Sequence, residues 1–188
     1  MFYGTASSFI EFPNNGSLDT RFSITLMCWV QPGGQDGPLF SYDTFSYAPV
    51  SIEIYGGQFL NRMALQDSSF PWRYRYTSKL SIEVLPVGKW VHVAASYDHS
   101  SGNHSLYING HLNASRNIGT GYSIATGSHR VRMGTVEWFI PRFKGKIAEM
   151  KVYDVALNEA QIQTSIRQGN CTFFQNRFLI TYSGVSFY

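Results

Sequence analysis

Residues 88–98 read GKWVHVAASYD and residues 105–110 read SLYING. Residues 90–97 and 105–108 are rich in β-branched and aromatic side chains, and a short polar stretch separates the two runs. This pattern predicts two antiparallel strands joined by a hairpin loop. Asn109-Gly110 follows the second run and is a strong signal for a tight turn, because both residues accept positive φ angles. The segment therefore predicts consecutive antiparallel strands.

Similar short runs recur along the chain, each bounded by glycine, proline or asparagine. They cover residues 9–12, 24–30, 39–42, 51–55, 63–65, 80–84 and 147–153. Aromatic residues make up 16% of the chain and charged residues only 14%, a composition that favours strands over helices. Many short strands at even spacing predict an all-β sandwich, barrel or jelly roll.

One helix is predicted close to the C-terminus. Asn158 is a favourable N-cap, Gln161 stands three residues later as in a capping box, and Gly169 can end the helix. Its apolar positions are few, so we expect a short helix that lies on the sandwich. We assign residues 1–169 to one domain and residues 170–188 to a last strand or a connection to a further domain.

Composition excludes two classes of partner. The net charge is only +3 and the lysines and arginines are scattered, which argues against nucleic acid. No apolar run approaches the roughly 18 residues that a membrane span requires, so we expect no membrane insertion.

The two cysteines, Cys28 and Cys171, are too few for a disulfide-dense scaffold or a zinc cluster. Either they form one bridge, or Cys28 is buried and inert while Cys171 lies near a surface loop.

Residues 69–77 read SFPWRYRYT and alternate aromatic residues with arginines. In an extended chain Arg73 and Arg75 share one face, and the other face carries Phe70, Trp72, Tyr74 and Tyr76. In one interpretation the aromatic residues are buried and the arginines solvated. In the other the aromatic face meets a ligand, since aromatic and arginine side chains are favoured at binding hot spots. Both interpretations leave the two arginines exposed, and Pro71 favours an edge strand or a loop.

A second group of aromatic and basic residues occurs in VEWFIPRF, residues 136–143. Its aromatic side chains are open to the same two interpretations, burial in the core or contact with a ligand. Together the two groups define the candidate ligand-binding residues Trp72, Arg73, Tyr74, Arg75, Trp138 and Arg142.

The order and spacing of several segments resemble the laminin G-like and pentraxin domains of the concanavalin A-like jelly rolls. The segments are FSITLMCWVQP (22–32), GPLFSY (37–42), GKWVHVAASYD (88–98), HSLYINGHL (104–112), MGT (133–135) and FKGKIAEMKVYDVALNEAQI (143–162). The resemblance spans roughly residues 4–169. It implies an all-β fold: a two-sheet antiparallel jelly-roll sandwich with one short C-terminal helix.

The resemblance also bears on disulfides and calcium. Cys28 falls where pentraxins place one half of a bridge, but the partner position is matched by Ala94, so that bridge is expected to be missing. The positions matched to the pentraxin calcium ligands read 48–50 APV and 135–138 TVEW, which together offer one carboxylate. We therefore expect no cofactor, and a single weak calcium site at Asp43 or Glu137 is the alternative to that expectation. The alternative for Asp43 is a turn residue that bonds its own backbone.

No catalytic pattern is found. Relatives that hydrolyse glycans carry paired carboxylates in a Glu-x-Asp-x-x-Glu pattern, and the twelve acidic residues here show no such spacing. Neither a Gly-x-Ser-x-Gly elbow nor a His-Glu-x-x-His helix is present. His99 and His104 flank one hairpin loop and could meet across it, but surface histidines are the simpler interpretation. The chain is therefore not expected to be an enzyme.

Four N-glycosylation sequons begin at Asn15, Asn103, Asn113 and Asn170. Together with the resemblance they predict an extracellular domain of a larger secreted or cell-surface protein. The leading hypothesis is a non-catalytic binding module that recognises a protein ligand or a neighbouring domain and mediates adhesion. The alternative is lectin-like glycan binding, with or without calcium, and a purely structural role is a further alternative.

Overall fold

In the computed structural model, the described residues are 1–43, 49–67, 69–70, 72–136 and 141–168, together with the backbone of 178–182. These residues form two antiparallel sheets and one helix, which confirms the predicted jelly-roll sandwich. The first sheet, named here the β3 sheet, has the order β1 (Phe2–Tyr3), β13 (Lys144–Tyr153), β3 (Ile24–Gln35), β8 (Val91–Asp98), β9 (Asn103–Ile108) and β10 (His111–Asn117), and β14 (Phe178–Tyr182) also pairs with β13.

The second sheet, named here the β6 sheet, faces the first. Its order is β11 (Tyr122–Ile124), β6 (Gln58–Asp67), β5 (Val50–Tyr55), β4 (Gly37–Asp43), β12 (Arg130–Met133) and β2 (Ile10–Phe12), and β7 (Tyr74–Val84) also pairs with β6. Residues of β6 from Gln58 to Met63 pair with β5, while Leu65, Gln66 and Asp67 pair with β11. The end of β6 is therefore held by a different neighbour from its beginning.

The core lies between the two sheets and follows the period-2 alternation of the strands. On β8, Val91, Val93, Ala95 and Tyr97 point inward, and Phe40 and Tyr42 on β4 face them across the core. The β9–β10 turn is confirmed, since Asn109 and Gly110 have φ angles of 52° and 82°. Burial of these apolar side chains supplies the main driving force for the fold.

Cys28 is a buried free thiol on β3, and burial raises the pKa of this thiol above its ordinary value. In register it stands opposite Val93, whereas the predicted partner position Ala94 stands opposite Met27. The shift by one residue matters because Cys28 and Val93 both face the core while Met27 and Ala94 face the other side of the sheet. Cys171 lies outside the described residues.

The helix α1 (Glu159–Gln168) begins as predicted. The Asn158 side-chain oxygen accepts a hydrogen bond from the Gln161 backbone N–H at 3.0 Å, and the Gln161 side-chain oxygen accepts one from the Asn158 N–H at 2.9 Å. This is a capping box. Ile162 is buried against a small apolar cluster on the outer side of the β3 sheet, so the helix covers that face. Gly169, the predicted end, lies outside the described residues.

The C-terminal strand β14 pairs antiparallel with β13, with Lys151 opposite Thr181. The boundary between a domain at 1–169 and a segment at 170–188 stays a prediction. Within the described part of the chain, no helix has the length and apolar character needed to cross a bilayer.

Candidate functional site

The segment SFPWRYRYT forms a turn followed by the first part of a strand. The Phe70 backbone N–H donates to the Asp67 carbonyl at 3.2 Å, and the Arg73 N–H donates to the Phe70 carbonyl at 2.8 Å. The strand β7 then begins at Tyr74 and pairs with β6. Ser68 and Pro71 lie outside the described residues. The turn lies at the end of the sandwich where β6 finishes.

The aromatic side chains of this segment are exposed, so the interpretation that buries them in the core is wrong. Trp72 is 75% exposed and Tyr76 is 63% exposed, and Phe70 and Tyr74 are also exposed. The reason is the register with β6: Thr77 pairs with Met63, which faces the core, so Tyr76 beside Ala64 must face outward. The small polar residues of β7 fill the inward positions instead.

The two arginines are exposed, as expected, but they differ in their contacts. Arg73 lies with its guanidinium 5.7 Å from the Phe70 ring centroid, and Phe70 contacts Trp72 edge to face at 5.8 Å. Arg75 donates to the Ile118 carbonyl at 3.1 Å and stacks over Tyr122 at 5.5 Å. Arg75 therefore ties β7 to the segment after β10, whereas Arg73 belongs to the exposed turn.

A cleft of about 230 Å³, named here the end cleft, lies beside Tyr74. It is lined by Asp19, Arg21, Gln66, Tyr74, Ser123, Ile124, Ala125, Gly127 and His129. These residues come from four separate segments: the connection before β3, the end of β6, the start of β7, and β11 with the loop after it. An aromatic ring therefore stands next to carboxylate, guanidinium, amide, hydroxyl and imidazole groups.

Hydrogen bonds hold the polar wall of the end cleft in place. One Asp19 oxygen accepts from the Thr126 hydroxyl at 2.8 Å and from the Gly127 N–H at 3.0 Å, and the other accepts from the Arg21 Nε at 2.8 Å. Burial acts to raise the pKa of Asp19, but these donors together hold that pKa below its usual range. The Asn14 side-chain amide donates to the Gly127 and His129 carbonyls, which fixes the loop that closes the cleft.

The end cleft can bind by stacking and hydrogen bonding. Asp19 supplies the single carboxylate among its lining residues, and it is kept ionised. Glycoside hydrolysis requires two carboxyl groups about 5–10 Å apart, one of them protonated. Sequence reasoning identified Tyr74 but missed Asp19, Arg21, Gln66 and the others, because nothing in their spacing along the chain brings them together.

Asp43 is the last residue of β4 rather than a turn residue, and it is buried. Its carboxylate lies 3.4 Å from a guanidinium nitrogen of Arg132, and Arg132 also donates to Glu11 at 2.7 Å. A calcium ion would compete with this guanidinium, so a site at Asp43 stays a prediction that the geometry does not favour. Glu137 lies outside the described residues. Among those that are described, no group of three or more His, Cys, Asp or Glu is placed to hold a metal ion.

Arg142 does not join the end cleft. It is half-buried, and its backbone carbonyl accepts a hydrogen bond from the Gln35 side chain at 2.7 Å. Gln35 ends the twelve-residue strand β3, whose other end lies near the end cleft, so Arg142 is about 35 Å away at ~3.3 Å per residue. Trp138 lies outside the described residues. Arg142 therefore cannot share a site with residues 72–75.

The sequon asparagines differ in accessibility. Asn15 and Asn103 are exposed, in a turn and at the start of β9. Asn113 is half-buried: its side-chain oxygen accepts from the Ile82 N–H at 2.7 Å and its nitrogen donates to Glu83 at 3.0 Å. Asn170 lies outside the described residues. The side-chain oxygens of Asn15 and Asn103 accept hydrogen bonds from the Ser17 N–H and the Asn117 side chain, but both residues are exposed, whereas the half-buried Asn113 links β10 to β7.

His99 and His104 do not meet across the loop. The His99 Nδ1 lies 2.6 Å from the Tyr122 carbonyl, at the end of the sandwich that carries the end cleft. His104 is fully buried, with its Nε2 2.7 Å from the Asn61 side-chain oxygen. Burial, reinforced by the charges of Arg116 and Lys79, lowers the pKa of His104 to about 3. The expectation of a surface histidine is therefore wrong for His104.

Comparison with known protein families identifies the superfamily of this chain. The family model Laminin_G_3, of the concanavalin A-like lectin/glucanases superfamily, matches residues 4–163. The chain belongs to this superfamily. Among curated proteins, none matches the sequence.

Solved structures share the fold at low sequence identity. A candidate carbohydrate-binding protein from Bacteroides ovatus superposes with a TM-score of 0.70 and 16% identity, over 93% of this chain and 48% of that one. A heptameric SAP-like pentraxin from Limulus polyphemus gives 0.63 and 20%, over 97% and 90%. Domain 4 of AbnA, an extracellular arabinanase from Geobacillus stearothermophilus in complex with arabinotriose, gives 0.63 and 22%, over 83% and 71%. The chain spans about half the length of the first of these.

Proposed function

We propose that this chain is a non-catalytic glycan-binding module and that the end cleft is its binding site. The observation that carries the proposal is the exposed ring of Tyr74 beside polar side chains that are already fixed by hydrogen bonds. A sugar ring offers an apolar C–H face and a rim of hydroxyl groups. The cleft offers an apolar ring and a rim of donors and acceptors.

The polar residues suit hydroxyl groups because they combine donors and acceptors in one wall. Asp19 accepts, Arg21 donates, and Gln66 and Ser123 do both. Since Asp19 is held ionised and in place, it loses little further freedom when a ligand binds. The volume of about 230 Å³ lies below the roughly 300 Å³ of sites for drug-sized ligands, which favours one sugar unit in the cleft. Further units of the glycan would extend over the exposed Trp72.

Two structural neighbours support a glycan over other ligands. One is described as a candidate carbohydrate-binding protein, and the other was solved with arabinotriose. The identities of 16% and 22% limit this support to the fold, so the particular sugar remains to be identified by experiment. The single carboxylate of the end cleft supports the non-catalytic part of the proposal.

The test is a glycan array probed with the purified chain, followed by calorimetric titration of the best glycan. Tyr74→Ala is expected to weaken binding at least tenfold, because stacking is lost while the polar wall remains. Tyr55→Ala is the matched control, since Tyr55 is 49% exposed against 45% for Tyr74 and lies at the opposite end of the β6 sheet. Failure to bind any glycan, or equal loss in both variants, would contradict the proposal.

Recognition of a protein is the second candidate, and the turn at 69–73 favours it. Trp72 and Arg73 are exposed next to each other, and both residue types are common in interface hot spots. If the ligand is a protein, Trp72→Ala is expected to weaken its binding more than Tyr74→Ala does. If the ligand is a glycan held in the cleft, the order of the two effects is reversed.

We also propose that the module works outside the cell, as part of a secreted or cell-surface protein. The exposed sequons at Asn15 and Asn103 support this location. When the chain is directed into the secretory pathway of a eukaryotic cell, glycans are expected at these two asparagines. Replacement of both by Gln should reduce the glycan-dependent mass shift to what the sequons at Asn113 and Asn170 contribute, and an unchanged shift would contradict this use of the sites.

A further inference from the structure

The chain contains two Asn-Gly pairs, Asn15-Gly16 and Asn109-Gly110, and they lie in different surroundings. In such a pair the backbone nitrogen of the glycine can attack the side-chain carbonyl carbon of the asparagine, because glycine has no Cβ to hinder the approach. The reaction requires a carboxamide that lies near the following peptide and a backbone that has room to move. The first pair meets both requirements, and the second meets neither.

Asn15-Gly16 lies in the connection between β2 and β3, where Asn15, Gly16 and Ser17 are all exposed. The Asn15 side-chain oxygen accepts a hydrogen bond from the Ser17 backbone N–H at 3.3 Å. The ring closed by this bond contains both the Asn15 Cγ and the Gly16 nitrogen, so the carboxamide is folded back toward the nitrogen that would attack it. A Cβ on Gly16 would meet no atom within 4 Å, so the backbone has room to move here.

Two hydrogen bonds around the first pair favour the attack. The Ser17 N–H donates to the oxygen that becomes negative when the Asn15 Cγ turns tetrahedral, so it stabilises that charge. The Gly16 N–H donates to the Asn14 side-chain oxygen at 3.1 Å, and this bond polarises the N–H that must lose its proton. The attack uses electrons above the peptide plane, whereas the N–H lies in that plane, so the bond to Asn14 does not obstruct it.

Asn109-Gly110, in the turn between β9 and β10, is held away from this reaction. The Asn109 side-chain oxygen accepts from the His92 backbone N–H at 3.0 Å, and the Asn109 N–H donates to the His92 carbonyl at 2.8 Å. The carboxamide is therefore bonded to β8 rather than to the chain that follows it. Gly110 is buried, and side-chain atoms of Gln163 and Ile166 on α1 lie 3.0 Å from the position that a Cβ on it would take. The helix leaves no room for ring closure at this pair.

We propose that Asn15 is a site of spontaneous modification, at which the folded chain forms a succinimide and then isoaspartate or aspartate. A bond forms between the Gly16 nitrogen and the Asn15 Cγ, and the bond from that carbon to the side-chain nitrogen breaks. The proton lost by Gly16 leaves with the side-chain nitrogen as ammonia. Water, the only co-reactant, then opens the imide at either carbonyl. Opening at the main-chain carbonyl gives isoaspartate, and opening at the side-chain carbonyl gives aspartate.

The position of Asn15 connects this modification with the first sequon and with the end cleft. Both products lack the Asn15 side-chain nitrogen, so a converted chain can no longer accept a glycan there. The imide nitrogen carries no hydrogen, so the hydrogen bond from Gly16 to Asn14 is lost. Asn14 is the residue that donates to the carbonyls of Gly127 and His129, in the loop that closes the cleft. Conversion is therefore expected to loosen this loop, and the conversion itself does not rest on the proposed function.

The test is a time course of the full, unglycosylated chain at mildly alkaline pH, in buffer and in strong denaturant, followed by peptide mapping with mass spectrometry. In buffer, Asn15 is expected to convert about tenfold or more faster than Asn109, because the fold protects only the second pair. In denaturant the two rates should become similar. Labelling by isoaspartyl methyltransferase identifies the imide route, since direct hydrolysis of the side chain gives aspartate alone. Equal rates in buffer, or an Asn15 that stays intact in buffer but converts in denaturant, would overturn the proposal.

Two variants test the role of the Gly16 nitrogen. Gly16→Ala places a methyl group beside it and should slow conversion about tenfold, in buffer and also in denaturant, where the φ of 98° at this position no longer matters. Ser17→Ala is the matched control, since it keeps the backbone N–H and should convert nearly as fast as the wild type. An unchanged rate in Gly16→Ala would contradict attack by this nitrogen.

The expected loosening of the loop is tested by NMR on the aged, converted chain. The amide signals of Gly127 and His129 should shift relative to the fresh chain, whereas the Gly110 signal should not. Unshifted signals at Gly127 and His129 would contradict the connection between Asn15 and the loop.

Discussion

The β8–β9 hairpin and β7 have similar sequence patterns but opposite orientations. In β8 and β9 the alternating apolar residues point into the core, so Val93 and Leu106 are buried. In β7 the alternating apolar residues point to solvent, so Ile82 and Val84 are exposed. The alternation thus predicts a strand in both places but does not tell which face is buried. Partners on neighbouring strands, such as Asn113 and Arg116 for β7, decide that.

The largest difference in stability is expected between truncation of a buried residue in β9 and truncation of an exposed residue in β7. Leu106→Ala in β9 should lower the free energy of unfolding by about 2–5 kcal/mol, because it leaves a cavity in the core. Ile82→Ala in β7, measured in a dilute sample, should change it by less than about 0.5 kcal/mol. Urea unfolding of the two variants checks this. Comparable losses would mean that the Ile82 side chain is buried in the folded monomer.

A second effect concerns the buried histidines. Burial lowers the pKa of His92 and of His104 to about 3, with the nearby charges of Lys151 and Arg116 acting in the same direction. The folded protein keeps both imidazoles neutral, while the unfolded chain protonates them near pH 6.5. Their contribution to stability is therefore complete above about pH 6.5 and is lost progressively as the pH falls toward 3, by about 1.4 kcal/mol per pH unit for each histidine.

The replacement His104→Gln removes one of these groups while retaining an amide that can bond to Asn61. Unfolding free energies measured between pH 6.5 and pH 4.5 should then decline about half as steeply as in the wild type. A slope equal to that of the wild type would show that His104 is already protonated or exposed in the folded state.

A smaller difference in stability is expected between replacement of the sequon asparagine in β10 and replacement of the one in β9. Asn113→Ala removes the acceptor for the Ile82 N–H and the donor to Glu83, so it should cost about 1 kcal/mol. Asn103→Ala removes only an exposed hydrogen bond from the Asn117 side chain, so it should change stability by less than about 0.5 kcal/mol. Thermal melts of the two variants separate these outcomes. Equal shifts would argue against the link between β10 and β7.

The smallest change in stability is expected for a substitution in the exposed turn that precedes β7. Trp72→Ala should leave the free energy of unfolding within about 0.5 kcal/mol of the wild type, since most of the indole is already in water. A loss of 2 kcal/mol or more, a core-like value, would mean that the indole packs on the protein in solution. The variant would then be unsuitable for testing ligand binding.

Much of the fold could be predicted from local signals in the sequence. The Asn109-Gly110 turn and the capping box at Asn158 and Gln161 each depend on residues within four positions of one another, and all are confirmed. The orientation of β7 could not be predicted, because it depends on contacts with β10. The alternative that placed Asp43 in a turn was likewise wrong, since Asp43 ends β4 and its partner Arg132 lies 89 positions away.

The candidate site was predictable only in part. Tyr74 was identified from its alternation with Arg73 and Arg75. Its polar neighbours Asp19 and His129 are separated by more than 100 positions and have no motif of their own. Only the pairing of strands brings such residues together. The chemistry of the cleft therefore appears only in the folded structure.

The most direct test of the central claim is an NMR titration of the labelled chain with the best glycan from the array. The account predicts that amide shifts change at Gln66, Ser123 and Gly127, around the end cleft, and that the Tyr74 ring signals move with them. Saturable shifts confined to the exposed residues Ile82 and Val84 of β7, or to the end of the sandwich near Gln35, would contradict the assignment of the end cleft as the glycan site.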